Sequence, residues 1–209
     1  MAWEYAVVLV ASYLVGSIPT GVAVGRLTRG IDVREYGSGK IGFANVLRTL
    51  GLRSSLLVLL TDAAKGYGPV MVVWAIFGSH ELQVAAALAA IVGHDWPLFA
   101  GFRGGRGVAT AYGAYLGMNA PITLALVAVT LAMIFVVRYI SLVSMVIVPL
   151  GAFAFLMLAL AGQGPYVYVA YGLLAALLVI FQHRDNIRRL LAGTEPKLGQ
   201  RGHRRLADS

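Results

Sequence analysis

Residues 37–51, GSGKIGFANVLRTLG, and residues 104–107, GGRG, set glycines beside cations in a chain that is otherwise strongly apolar. Gly104, Gly105 and Gly107 allow backbone N–H groups to turn toward a bound anion with no Cβ in the way. Arg106 adds a forked, permanently charged donor. A helix starting directly after it would add its positive N-terminal end. The first loop repeats that chemistry. Gly37, Gly39 and Gly42 free the backbone, Ser38 and Asn45 offer hydrogen bonds, and Lys40 and Arg48 supply charge. Asn45 and Arg48 lie three positions apart, so both fit one helical face. Phosphate is the natural guest of such loops. Either loop alone would also serve as a flexible connector carrying a topology cation. Two on one membrane face point to two phosphate groups, or to one phosphate approached from two sides.

Other polar residues sit at the ends of apolar runs. His183 and Asn186 follow the last run with the same three-residue step. His183 suits donation to a phosphate, movement of a proton near neutral pH, or simple anchoring at the interface. Arg184, Arg188 and Arg189 read as headgroup contacts and topology markers. Ser141 and Ser144 suit a polar site or a bond to a neighbouring carbonyl. Asp62 and Lys65 lie three apart inside an apolar run, where unpaired charge is expensive, so a structural pair is expected rather than a catalytic one. His94 and Asp95 are placed to position the glycine loop that follows, and Glu195 to pair with a nearby cation. With only nine carboxylates, none spaced with His as metal ligands, no metal and no cofactor is expected. Cys is absent, which excludes a disulfide or a thiolate nucleophile, and no G-x-S-x-G elbow occurs.

The elements that must hold these residues follow from composition. The 209 residues are 59% hydrophobic and 12% charged, with a mean hydropathy of +0.78, which is an integral membrane composition. Long apolar runs between short basic loops argue for helices over a barrel. The net charge of +8 then records topology, and no nucleic-acid partner is expected. The first 19 residues lack a positive n-region and a cleavage site, so they read as an uncleaved span. Apart from Lys65, the cations cluster at Arg26 to Arg53, at Arg103 and Arg106, at Arg138, and at Arg184 to Arg205. The positive-inside tendency puts these clusters on the cytoplasmic side. Spans are expected at about 4–25, 54–77, 81–100, 142–161 and 166–182. The stretch 107–137 rises roughly 46 Å as helix, too little for two full crossings of a ~30 Å core. Two short helices at 108–118 and 121–137 satisfy the charge rule if the GGRG loop dips below the surface. The expectation is one all-α domain over 1–209 with seven transmembrane helices, the N-terminus outside and the C-terminus cytoplasmic.

Six stretches, in order, resemble the acyl-phosphate-dependent glycerol-3-phosphate acyltransferases of bacteria. They are GSIPTG (16–21), DVREYGSGK-IG-AN-LR (32–48), DAAKG (62–66), GHDWPLFAGFRGGRGVAT (93–110), SLVS (141–144) and HRDNIRRLLAGTE (183–195). The resemblance implies a seven-span protein of the bacterial inner membrane with its site on the cytoplasmic face. It implies transfer of a fatty acyl group from acyl phosphate, not from acyl-CoA or acyl carrier protein, to the 1-position of glycerol 3-phosphate. The products would be lysophosphatidic acid and phosphate, and the partners would be these substrates and membrane lipids. By position, Ser38 and Arg48 match an essential serine and arginine. Gly104, Gly105 and Gly107 match glycines linked to glycerol 3-phosphate. Ser141, His183 and Asn186 match polar positions lining the phosphate site, and Glu195 matches a glutamate tied to structural integrity. Arg106 stands where the family usually has lysine. The first loop departs further: Lys40 replaces an asparagine, and Phe43-Ala44 replaces Ala-Thr. Two other readings fit cationic glycine loops, a transporter of an anionic phosphorylated solute and a lipid-binding paralogue without catalysis.

Overall fold

The computed structural model describes residues 2–200 together with 203 and 204. Ten α-helices run along these residues: α1 (Ala2–Gly16), α2 (Thr20–Arg29), α3 (Phe43–Leu50), α4 (Leu52–Phe77), α5 (His80–Asp95), α6 (Val108–Met118), α7 (Ala120–Val137), α8 (Ile140–Leu160), α9 (Val167–Gln182) and α10 (Arg184–Leu191). Short 3₁₀ turns occupy Val33–Glu35 and Leu98–Ala100. Among the described residues the sole β feature is one antiparallel bridge between Tyr36 and Arg204.

The boundaries have local causes. The expected first span breaks at Ser17–Pro19, because Pro19 lacks an N–H and disfavours helical geometry at Ile18. The third expected span ends as helix at Asp95, ahead of Pro97, and not at residue 100. Ser79 caps α5 by accepting the N–H of Leu82 at 3.2 Å, after α4 closes on Gly78. Asn119 separates α6 from α7 and accepts the N–H of Ile122 at 3.0 Å, with Pro121 in the first turn. The latter half of the GSGKIGFANVLRTLG stretch is not loop but α3, whose Asn45 and Val46 point into the protein.

Five stretches are long and apolar enough to cross a membrane: Ala2–Arg29, Leu52–Phe77, His80–Ala100, Ala120–Val137 and Ile140–Leu160. The pair α9 and α10, bent by 59°, makes a sixth if taken together. α6 has the residues expected of it, but its 11 residues rise only about 16 Å, short of a ~30 Å core. Length and composition therefore give five to six spans where seven were expected.

Small residues bring the helices together, as expected where lipid removes any hydrophobic drive between them. Gly66 of α4 rests on the carbonyl of Thr110, and Gly113 of α6 on that of Ala63; a Cβ at either would overlap the oxygen. Gly16 and Gly93 join α1 to α5 in the same way. Tyr115, Ile147, Phe155 and Tyr171 fill the centre of the bundle. The two tyrosine hydroxyls donate to the carbonyls of Val148 and Ala111 at 3.0 and 3.1 Å. α7 lies at the edge and exposes Leu131, Phe135 and Val136.

Asp62 and Lys65 form a buried ion pair with Nζ to Oδ1 at 2.7 Å. The break between α1 and α2 supplies its remaining partners. Lys65 also donates to the Ile18 carbonyl at 2.5 Å and to Thr20 Oγ1 at 3.0 Å. The Thr20 hydroxyl donates in turn to Asp62 at 2.6 Å.

Candidate active site

The first glycine loop is shaped from within. Gly37 and Gly39 take positive φ of 54° and 71°, the left-handed region that suits glycine. Asn45, buried on α3, accepts the N–H of Ser38 at 2.9 Å and donates to the carbonyls of Val33 and Lys40, both at 2.8 Å. Its amide therefore holds the loop's curvature instead of facing outward as a ligand group. Arg34 fastens the same loop to the second one, donating to the Ala100 carbonyl at 2.8 Å while paired with Asp32. Ser38, Gly39 and Lys40 then line a cavity of about 930 Å³, closed on other sides by Asp95, Gly104 and Gln182. Gly37 and Ser38 also border a second cavity of about 520 Å³ beside Arg188 and Arg189.

The GGRG loop folds against the end of α5. A Cβ on Gly105 would overlap the His94 imidazole, and one on Gly104 the carbonyls of His94 and Asp95. The Gly105 N–H donates to the His94 carbonyl at 3.0 Å. Of the N–H groups expected to face an anion, that one is committed to the protein, and close approach explains these two glycines. Gly107 takes φ of 69° and opens α6. The His94 ring bridges inward, its Nδ1 lying 3.6 Å from Asp62 Oδ1. The buried pair thus sits behind the loop, outside the cavities.

Arg106 emerges from this loop with its Nε buried and without a hydrogen-bond partner. Burial pulls its pKa down to about 10, and the charges of Arg189 and Arg48 push the same way, against Glu195. The guanidinium stays charged at neutral pH. Arg48, on α3, is also lowered by burial, with Glu195 opposing and Arg189 adding to the effect.

Glu195 is the centre of this cluster. Ser141 Oγ and Asn186 Nδ2 donate to its Oε1 at 2.6 and 2.7 Å, and Arg189 Nε donates to Oε2 at 2.7 Å. Burial works to raise its pKa, but these bonds and the Arg189 charge outweigh it and hold the carboxyl below its usual value. Arg48 Nη2 donates to the next carbonyl, Pro196, at 3.2 Å. One carboxylate thus stands among Arg48, Arg106 and Arg189, an arrangement with cationic charge left over for an anion. The Asn186 Oδ1 atom is buried without a partner.

His183, between α9 and α10, is also buried, with Nδ1 at 2.7 Å from the Val179 carbonyl. A carbonyl can only accept, so Nδ1 carries the proton and Nε2 is the free nitrogen of the neutral ring. It feels the charges of Arg106, Glu195 and Lys40.

The residues singled out in both loops, at Ser141 and after α9 therefore converge. Two further residues belong with them. Asp95 was expected only to position the loop, yet it is one of the residues lining the larger cavity. Gln182 was not singled out; its Oε1 accepts from Lys40 Nζ at 3.4 Å. The one signal for either was its place at the polar end of an apolar run.

A family model described as glycerol-3-phosphate acyltransferase matches residues 6–193. A glycerol-3-phosphate acyltransferase of Parasynechococcus marenigrum is 43% identical over 193 residues, covering 92% of this chain and 89% of its own. Glycerol-3-phosphate acyltransferase 2 of Moorella thermoacetica is 48% identical over 194 residues, covering 92% and 97%. Two crystal structures of PlsY (YgiH), described as an integral membrane glycerol 3-phosphate acyltransferase, share the fold. Its glycerol 3-phosphate form has a TM-score of 0.84 at 36% identity, covering 93% of this chain and 96% of the other. Its lysophosphatidic acid form has a TM-score of 0.83 at 35% identity, covering 93% and 95%.

Proposed function

The chain belongs to the glycerol-3-phosphate acyltransferase family, and from that premise we propose how its site works. It is an acyltransferase of phospholipid synthesis that places a fatty acyl group on glycerol 3-phosphate and yields lysophosphatidic acid. The donor we assign is acyl phosphate, and the position acylated is the 1-hydroxyl. The observation that carries this is the surplus of cationic charge around Glu195, where Arg48, Arg106 and Arg189 meet Ser141, Asn186 and His183. Two phosphorylated substrates need such a surplus. A donor with an apolar tail needs it at the end of membrane spans.

Acyl phosphate is a mixed anhydride and already carries a good leaving group. The acceptor oxygen attacks the acyl carbon, a new C–O ester bond forms, and the C–O bond to phosphate breaks. The departing phosphate takes the hydroxyl proton, so no strong protein base is required. Arg48 and Arg106 orient the phosphates and stabilise the developing charge, the Nε2 lone pair of His183 accepts from a protonated phosphate oxygen, and Ser38, Gly37, Gly39 and Lys40 close the site from the first loop. Asn186 and Ser141 act from positions set by Glu195, and Gly104, Gly105 and Gly107 let Arg106 approach.

We assign seven crossings, with α6 as the short one, the N-terminus outside, and the site on the cytoplasmic face of the bacterial inner membrane. The turns at 78–81, 118–121 and 162–165 contain no Lys or Arg, whereas the opposite loops carry the cations. Purified protein supplied with acyl phosphate and glycerol 3-phosphate should form lysophosphatidic acid and phosphate, and acyl-CoA should not replace the donor. Absence of product with acyl phosphate, or equal turnover with acyl-CoA, would sink the donor assignment.

A further inference from the structure

Asp95 ends α5 with its side chain 1% exposed and both carboxylate oxygens without a hydrogen-bond partner among the described residues. A buried carboxylate left unpaired is costly and calls for a donor. Glu35 and Asp185 line the same cavity, but their side chains are 55% and 53% exposed and lie near Arg204 and Arg188. Asp95 alone presents a buried carboxylate there. Gly107 packs against it, and an added Cβ there would crowd the two oxygens at 3.3 and 3.4 Å. Its polar neighbours are Lys40 and Gln182, whose side-chain amide stands near the carboxylate but outside normal hydrogen-bond geometry.

Phosphate cannot be the partner of a carboxylate, because two acceptors repel. The complementary group is a hydroxyl, and the acceptor substrate has two. The 1-hydroxyl gives its proton to the departing phosphate in the reaction assigned above. Arg48, Arg106 and Lys40 can only donate, and of the acceptors left open, Asp95, Asn186 Oδ1 and His183 Nε2, only Asp95 lines the larger cavity. We propose that Asp95 reads the 2-hydroxyl of glycerol 3-phosphate, with Lys40 and Gln182 holding that wall of the cavity in place. Lys40, which departs from the family's usual asparagine, is the cation that accompanies this carboxylate. The inference rests on glycerol 3-phosphate as acceptor.

The test compares glycerol 3-phosphate with 3-hydroxypropyl phosphate, which keeps the attacking hydroxyl and lacks the 2-hydroxyl. A hydrogen bond to a charged group gives about ten- to hundredfold, so the unaltered enzyme should prefer glycerol 3-phosphate by about that factor in kcat/KM. Asp95→Ala should bring the ratio of kcat/KM for the two acceptors most of the way to one, whatever it does to the activity with either. Equal use of the two acceptors by the unaltered enzyme overturns the proposal, and that comparison needs no variant to fold. A variant that lowers kcat/KM for both acceptors by the same factor also overturns it. Acylation of neither acceptor by the unaltered enzyme overturns the acyltransferase reading itself.

Discussion

Asn186 Nδ2 donates to Glu195 Oε1 at 2.7 Å, nine residues ahead in the chain and on the same oxygen that receives Ser141. Two polar residues that look like independent ligands are therefore held by one carboxylate, and perturbing Glu195 should perturb both.

Glu195→Ala leaves Ser141, Asn186 and Arg189 without their acceptor. Loss of a buried charged partner costs about 1–3 kcal/mol per group stranded. Thermal unfolding in detergent should show a lower midpoint, and activity should fall at least about tenfold. Because the folded carboxyl titrates below its ordinary value of 4.5, its contribution is present above that pH and is lost as pH falls through the lower folded value. The unaltered protein should lose stability in that acid range, and Glu195→Gln should lack that component of the loss.

Arg106→Ala removes the most deeply buried cation of the site. The KM for a phosphorylated substrate should rise by about 10–100-fold, measured by initial rates. Arg106→Lys should recover most of the loss, since a point charge still serves a phosphate. Equal loss in both variants would mean the fork, not the charge, is needed.

Lys40 titrates below its ordinary 10.5 because burial disfavours the ammonium and Arg106 repels it, with the Asp95 carboxylate opposing both. Its charge is lost as pH rises through that lowered value. Substrate affinity should therefore weaken on the alkaline side, while stability without substrate gains as the buried charge disappears. Binding titrations and unfolding midpoints across pH 7–10.5 should move in opposite directions, and Lys40→Met should remove the Lys40 part of both, leaving that of Arg106, which titrates at about 10.

Asp62→Asn strands the Lys65 ammonium in the bundle and should cost about 3–5 kcal/mol, as for other broken buried pairs. The double variant Asp62→Leu with Lys65→Met should recover much of that loss, read as folded protein extracted from membranes. Recovery of activity is not required, since His94 lies between the pair and the glycine loop.

The long helices were legible because each is a mostly apolar run bounded by capping residues such as Gly78, Ser79 or Asn119. The break at Ser17–Pro19 was less so, since Pro19 sits in a run whose hydropathy continues across it. Only the Asn45–Arg48 step hinted at α3, because its glycine-rich approach reads as loop, and its extent is seen in the burial of Asn45 and Val46. In the site, residue types pointed to phosphate, but not which partner each side chain would choose. Asn45 turns inward to the loop's own backbone, Gly105 gives its N–H to His94, and Asp95 reaches the cavity because the GGRG loop folds back onto α5. These are long-range or backbone choices that side-chain spacing does not encode.

The segment after α10 fastens the site from outside the bundle: Glu195 binds Ser141 and Asn186, the Pro196 carbonyl holds Arg48, and Leu198 N–H reaches the Arg138 carbonyl at 2.7 Å. During synthesis helices α1–α10 are made before this buckle exists. A nascent chain lacking residues 195–198 would insert its apolar helices with the reactive pocket still unassembled. Activity should thus switch on only once residues 195–198 are in place, so that growing chains reach the membrane catalytically silent.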